Sequence, residues 1–288
     1  VLKIAVPNKG RLSEATLDLF RKAGMKVESS QERKLYATAL DKTVQILFVR
    51  ANDIPGFVQD GVAHLGVTGK DILEEEGKAV RELMDLHYGH CRLVVAVPEA
   101  SGIQDAKDVP EGSRVATSFP NLAARFFADH GRNVKVVQVS GATEITPHIG
   151  VADLIVDLTS SGSTLAMNNL REIATIVPST ARLVANGKAM DDPKLKPRIE
   201  SILASLQSVV QARGKRYLMA NVPKGRLDEV RRILPGISGP TIMDILSHPE
   251  LVAAHAVVDE GALFDVVNRL KSIGATGILV LPIERLVP

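Results

Sequence analysis

The chain has 288 residues, 45% of them hydrophobic, enough for two or three domains with buried cores. Its 35 basic and 33 acidic residues nearly cancel, and it has no Trp, three Tyr and seven Phe. That composition lacks the basic surface and aromatic stacking platforms of a nucleic-acid binder, so no nucleic-acid partner is expected. Cys91 stands alone, which excludes an intramolecular disulfide and points to a reducing compartment. The opening string VLKIAVPNKGRL lacks the apolar core of a signal peptide, and no apolar run approaches the ~20 residues of a membrane helix. A cytoplasmic protein without a membrane partner is the expectation.

In chain order, Leu2–Val6 reads as a strand, Leu12–Lys22 as an amphipathic helix closed by Gly24, and Val44–Val49 as a strand. Asp53–Asp60 reads as a short helix, His64–Thr68 as a strand, Lys70–Glu76 as a helix and Leu93–Val97 as a strand ended by Pro98. This alternation predicts an α/β layered body. A second α/β unit follows. It has strands at Ser113–Ala116 and Val134–Val139 around the helix FPNLAARFFADHG, and a β-branched strand at Leu154–Val156. Strands at Ile173–Pro178 and Arg182–Ala185 then lead into a long helix over Pro197–Arg213. A chain that leaves one lobe, builds another and returns predicts two lobes with a cleft between them. From Lys215 the rhythm changes to βαββαβ, with strands at Tyr217–Val222, Thr241–Ile245, Val252–Val258 and Gly277–Leu281 and helices at Arg226–Leu234 and Leu263–Ile273. This small domain fits regulation or assembly, and it fits a plain structural extension equally.

The most specific string is GATEITPHIGVADLIVDLTSSGSTL, Gly141–Leu165. Its Leu154–Val156 run reads as a buried parallel strand, with Asp157 at the C-terminal end, where open α/β sheets bind ligands. Ser160, Ser161, Gly162, Ser163 and Thr164 then offer hydroxyls, backbone N–H groups and a helix start to an anion. Acids beside such a cradle, namely Glu144, Asp153 and Asp157, suggest a ligand that combines phosphate with ribose hydroxyls or Mg²⁺. Each acid alone also fits a solvated surface, Asp157 least so.

Asn8-Lys9-Gly10-Arg11 follows the first strand, where two cations can meet phosphates, and a solvated turn explains it as well. KGRL recurs at Lys224–Leu227, so that string alone is weak. GVTGKD at Gly66–Asp71 is not a Walker A loop. His64 stands at the required first glycine and Asp71 at the Ser/Thr position. His87, His90 and Cys91 cluster, but no second ligand pair lies at a zinc spacing, so they are read as structural.

These strings resemble ATP phosphoribosyltransferase of the long, histidine-regulated form. The resemblance rests on VPNKGRL at Val6–Leu12, FVRANDIPGFV, GVTGKDIL, ATSFPNLA at Ala116–Ala123, the Gly141–Leu165 string, LMANVP and SGPTIMDIL, and it spans nearly the whole chain. It implies an α/β fold: a two-lobed, periplasmic-binding-protein-like catalytic body plus a C-terminal βαββαβ ferredoxin-like regulatory domain. Residues 1–97 and 173–213 are expected to form lobe I, 98–172 lobe II with the phosphoribosyl loop, and 214–288 the regulatory domain. The implied reaction joins ATP to phosphoribosyl pyrophosphate, with Mg²⁺ carried mainly on pyrophosphate, as the first step of histidine biosynthesis. Histidine is the implied feedback inhibitor, and homodimers and homohexamers the implied assemblies. Catalytic roles fall to Asp157 and Lys9. Substrate contacts fall to Arg11, Arg50, Glu144, Asp153, Thr159, Ser160, Ser161, Gly162, Ser163 and Thr164. The histidine site falls to Asn221, Thr241 and Ala275, with Asn221 standing where relatives often carry Asp. Gly162→Val is expected to block the phosphate while sparing the fold. A solute-binding protein and a ligand-sensing regulator are the competing classes, and pyrophosphate release separates them from the enzyme.

Overall fold

The computed structural model describes residues 1–25, 36–38 and 43–287, with backbone alone for 36–38. The first stretch runs β1 (Leu2–Pro7), α1 (Arg11–Lys22), β2 (Tyr36–Thr38), β3 (Val44–Val49), α2 (Ile54–Gln59), β4 (Leu65–Gly69), α3 (Lys70–Glu76) and β5 (Arg81–Asp85). Next come β6 (Cys91–Pro98), β7 (Arg114–Thr117), α4 (Pro120–Asp129), β8 (Lys135–Gln138), β9 (Leu154–Thr159), α5 (Ser163–Met167) and β10 (Leu170–Ser179). The chain continues through β11 (Ala181–Ala185), α6 (Gly187–Asp191), α7 (Lys196–Ala212) and β12 (Lys215–Pro223). It ends with α8 (Leu227–Ile233), β13 (Thr241–Asp244), β14 (Leu251–Asp259), α9 (Leu263–Ser272) and β15 (Thr276–Pro282).

Among the described residues, the first sheet has the order β2-β3-β1-β4-β11-β5 and the second the order β10-β6-β9-β7-β8. The chain thus leaves the first sheet after β5 and re-enters it at β11, which makes two lobes joined by two crossings. The lobe limits differ from those expected at 97/98 and 172/173. β6 and β10 pair antiparallel with each other and form one edge of the second sheet. The changeovers therefore fall between Asp85 and Cys91 and between Ser179 and Ala181. Sequence reading failed here because an apolar strand such as Leu93–Val97 fits either sheet equally; only its partner, about eighty residues on, decides.

The second sheet shows why β9 reads as one continuous apolar run. Leu154 and Val156 pack into one core, with Leu93, Val115 and Phe127, while Ile155 packs into another, with Val94, Ala116 and Leu165. Both faces are covered, so alternation disappears. Each such fully buried aliphatic side chain contributes about 1.5–3 kcal/mol. β9 is parallel to β7 and antiparallel to β6, so the expected parallel setting holds on one side only.

The chain divides into two compact units, Val1–Arg21 with Met25–Ser201, and Lys22–Gly24 with Ile202–Pro288. Most of α7 thus goes with the terminal unit, where the Ser208 carbonyl accepts the Leu286 N–H at 2.8 Å, rather than with the catalytic body up to residue 213. The terminal sheet has the order β13-β14-β12-β15, which is the ferredoxin-like arrangement of βαββαβ. Alternation in β12 and β14 buries Leu218, Ala220, Val222, Val252, Ala254 and Ala256 in one core with Val230, Ile233, Val266 and Leu270 of α8 and α9.

Candidate active site

Strand pairing assembles the basic half of the site. β1 and β3 run parallel, with Pro7 opposite Val49, so their C-terminal ends lie side by side. The Asn8 N–H donates to the Val49 carbonyl at 2.8 Å, and this draws the loop bearing Lys9 beside Arg50. Lys9, Arg11 and Arg50 are all exposed there. Arg11, the first residue of α1, donates from Nη1 to Ser160 Oγ at 2.7 Å, which ties the first lobe's cations to the loop after β9.

The anion half follows β9. Gly162 has φ +79, a left-handed conformation that lets the chain turn from strand into helix. Thr159 is buried and its Oγ1 accepts the Gly162 N–H at 2.9 Å. Thr159 therefore shapes the loop through its side-chain oxygen. Ser161 and Ser163 hydroxyls bond each other at 2.8 Å. The Ala166 N–H closes the first helical bond, to the Gly162 carbonyl, so the N–H groups of Thr164 and Leu165 have no acceptor within the helix. The uncommitted donors at the loop are thus the N–H groups of Thr164 and Leu165, since the Gly162 N–H is engaged by Thr159 and the Ser163 N–H reaches Ser161 Oγ at 3.4 Å. A Val at 162 would be strained at this φ, so Gly162→Val would disturb the turn itself, contrary to the expectation that it spares the fold.

Asp157 is half-buried, and burial raises its carboxyl above the usual value. Bonds from the Leu158 N–H, at 2.7 Å to Oδ1, and from Thr143 oppose that shift, while the nearby Glu144 charge adds to it. Glu144 lies in a single 3₁₀ turn, Thr143–Ile145, preceded by Ala142 at φ +51. Asp157 and Glu144 are therefore brought together. Asp153 is not. It precedes β9, four residues from Asp157 and so roughly 13 Å along the strand. Arg114 holds it from Nη2 at 2.7 Å and from the backbone N–H at 2.7 Å, which lowers its pKa. The Arg114 pair therefore keeps Asp153 apart from Asp157 and Glu144.

Sequence reading missed two residues beside the loop. Arg92, at the start of β6, donates from Nη1 to the Ser160 carbonyl at 3.2 Å, and Glu172 of β10 binds the same guanidinium at 2.7 Å. The ion pair joins positions eighty apart, and no local pattern marks it. The glycines of GVTGKD prove to be packing devices. A Cβ on Gly66 would lie 2.6 Å from Ile54 Cγ2, and one on Gly69 would collide with the Asp71 carboxylate. Among the described residues, no group of three or more His, Cys, Asp or Glu side chains is arranged to hold a metal ion. No described helix is long and apolar enough to cross a membrane.

In the terminal domain, Asn221 and Thr241 share the sheet face opposite the helices, but β14 lies between their strands. Asn221 pairs with Ala253 and with Thr276, whereas Thr241 pairs with His255. Ala275 is buried in the helix-side core, next in sequence to the Thr276 partner of Asn221. The fold thus groups Asn221 with the start of β15 and sets Thr241 a strand apart.

Comparison with known proteins supplies the family. The profile described as ATP phosphoribosyltransferase matches residues 50–208, and the one described as HisG, C-terminal domain, matches 212–285. The ATP phosphoribosyltransferase of Methanosarcina barkeri is 47% identical, and that of Gemmatimonas aurantiaca 49%, over 100% of both chains in each case. Among solved structures, the ATP phosphoribosyl transferase (HisG:HisZ) complex from Thermotoga maritima matches with a TM-score of 0.65 and 30% identity. That match covers 73% of this chain and 98% of the other. Alike over its whole length to these enzymes, and built on the same α/β body with the added C-terminal domain, the chain belongs to the ATP phosphoribosyltransferase family, pentosyltransferases of the glycosyltransferase class.

Proposed function

We propose that the chain joins N1 of ATP to C1′ of phosphoribosyl pyrophosphate, giving 1-(5-phosphoribosyl)-ATP and pyrophosphate, and that this opens histidine biosynthesis under feedback inhibition by histidine. The observation that carries the reading is the loop after β9, with Asp157 before it and Arg11 bonded to Ser160, in a chain of this family. Adenine N1 attacks with its own lone pair as the C1′–O bond breaks, and pyrophosphate leaves with the bonding electrons. No proton has to be removed from the nucleophile. Catalysis is then alignment and electrostatics, with positive charge growing on ribose and negative charge on pyrophosphate.

Each group has a task in this scheme. The N–H groups of Thr164 and Leu165 and the Ser161 and Ser163 hydroxyls receive the 5-phosphate. Asp157 accepts from a ribose hydroxyl and faces the developing positive charge. Lys9, Arg11 and Arg50 meet the phosphates of ATP and the departing pyrophosphate. Mg²⁺ fits oxygen donors of the Asp157 and Glu144 kind, and when bound it neutralises pyrophosphate charge. Asn221, Thr241 and Ala275 remain the proposed histidine contacts, and the cytoplasm the proposed compartment. The C-terminal domain stands in for the partner chain named with the Thermotoga relative, and homodimers and homohexamers are the proposed assemblies.

Incubation with ATP, phosphoribosyl pyrophosphate and Mg²⁺ tests the reaction. Pyrophosphate is expected to appear in step with phosphoribosyl-ATP, and only when both substrates are present. A folded chain that binds either substrate yet releases no pyrophosphate would be a binding protein instead.

A further inference from the structure

Ser160 is the point at which β9 becomes the phosphate loop, and it is held from three directions. Its hydroxyl receives Arg11 Nη1 at 2.7 Å and donates to the His90 carbonyl at 3.2 Å. Its own carbonyl receives Arg92 Nη1 at 3.2 Å. Arg92 pairs in register with Thr159, the last residue of β9, so its backbone lies beside the loop's first residue. Its Nη2 stands 4.0 Å from where a Cβ on Gly162 would be.

The rest of that guanidinium is committed elsewhere. Nε reaches Glu172 Oε1 at 3.0 Å and Oε2 at 3.2 Å, and Nη2 reaches Oε2 at 2.7 Å. This two-pronged grip fixes both the plane and the direction of the group. Thr175 Oγ1 donates to Glu172 Oε1 at 3.1 Å and steadies the carboxylate in turn. β10 changes register between Glu172 and Ala174, and again between Thr175 and Val177. Such irregularities re-aim side chains, and one follows Glu172, which holds Arg92, while the other follows Thr175, which steadies Glu172.

We propose that Arg92, clamped by Glu172, is a positioning residue for phosphoribosyl pyrophosphate: its bond to the Ser160 carbonyl fixes the strand-to-helix turn so that the N–H groups of Thr164 and Leu165 converge on one phosphate. The proposal rests on the reading above that this loop takes the 5-phosphate. It differs from a plain charge role in a way that can be measured. A freely acting guanidinium would attract phosphate more strongly once Glu172 lost its charge. A positioned one would lose its grip and orient the loop less well.

The test uses the full chain and direct binding of phosphoribosyl pyrophosphate with Mg²⁺, with ATP affinity and thermal melting as controls. Glu172→Gln is expected to weaken phosphoribosyl pyrophosphate binding by roughly fivefold or more, as loss of a charge-assisted bond implies, and to leave ATP affinity within about twofold. Arg92→Lys keeps the charge and loses the fork, so it is expected to weaken binding similarly. The double variant should be little worse than either single one, because both act through one contact. Unchanged or tighter binding in Glu172→Gln overturns the proposal, as does full affinity in Arg92→Lys. Gly162→Ala separates the two levels of argument. If it weakens phosphoribosyl pyrophosphate binding while the Arg92 and Glu172 variants do not, only the positioning role fails. If none of the three weakens it, the loop is not the phosphate site and both readings fall.

Discussion

Asp153 precedes β9 and Asp157 lies within it, and their surroundings push their carboxyls in opposite directions. Burial raises Asp157, whereas the Arg114 guanidinium and backbone N–H lower Asp153. A carboxyl raised in the folded chain adds stability below its unfolded pKa and loses it as pH climbs through the folded value. Asp157 is therefore a liability to the fold at neutral pH, as expected if its charge serves the proposed site. Asp157→Asn is expected to raise the melting temperature at pH 7 and to lower kcat/KM by about tenfold or more. Its advantage should vanish near pH 3, where the native carboxyl is protonated as well. A lower melting temperature at pH 7 would sink the argument. For Asp153 the sign reverses, since its stabilisation is present above the unfolded pKa and fades as pH falls through the folded one. Asp153→Asn is expected to cost about 1 kcal/mol or less, as exposed pairs do, and to leave turnover within about twofold. A collapse of turnover in a folded Asp153→Asn protein would return that residue to the site. Sequence reading places Asp157 ahead of Asp153 by its position at the strand's C-terminal end, but it cannot show the physical basis of that ranking. The ranking depends on Arg114, which reaches Asp153 from β7, and on Thr143, which is held against β9 by a single turn.

Elements were more legible than their partners. α3 was read at Lys70–Glu76, the residues it occupies, and β3 at Val44–Val49, because their apolar spacing and flanking residues are local signals. What α3 does lies outside its own sequence. Glu75 is buried, and its two carboxylate oxygens receive the Asn121 N–H at 2.9 Å and the Leu122 N–H at 2.8 Å. Those are first-turn N–H groups of α4, so a carboxylate from the first lobe caps a helix of the second. Asn121 Nδ2 returns a bond to the Glu75 carbonyl at 3.2 Å. The contact closes on a lobe boundary that sequence could not place. Glu75→Ala should destabilise the chain by about 2 kcal/mol, since it removes a cap and leaves a buried N–H at Leu122 unpaired. Hydrogen exchange should quicken first at Asn121 and Leu122. A melting curve and exchange pattern identical to the parent would mean that the cap does not hold α4 in solution.

At the scale of the whole molecule, the question is what the terminal domain adds to a catalytic body that contains the proposed chemistry. Its βαββαβ pattern is legible in the sequence because its two central strands alternate on a one-sided sheet: β12 and β14 bury every second residue against α8 and α9. The open face was not legible, since which residues share it depends on strand order. There Thr241 stands across from His255, and β14 separates it from Asn221. An inhibitor bound in this domain can act on turnover only by binding one global state more tightly than another. If histidine acts in this way, loss of its contacts is expected to release inhibition while leaving the catalytic groups in place. In the proposed histidine site, Asn221 would offer a neutral hydrogen bond and no counter-charge for the ammonium group, so the remaining contacts would matter more. Thr241 is exposed, and an arginine there is not forced into a core, so Thr241→Arg is expected to fold normally. We expect this variant to keep parent kcat/KM for both substrates, to lose histidine binding in calorimetry, and to need about tenfold or more histidine for the same inhibition, as coupling free energies of 1–3 kcal/mol imply. Parent-like inhibition by histidine in the folded Thr241→Arg protein would place the inhibitor away from Thr241, towards Asn221 and the start of β15.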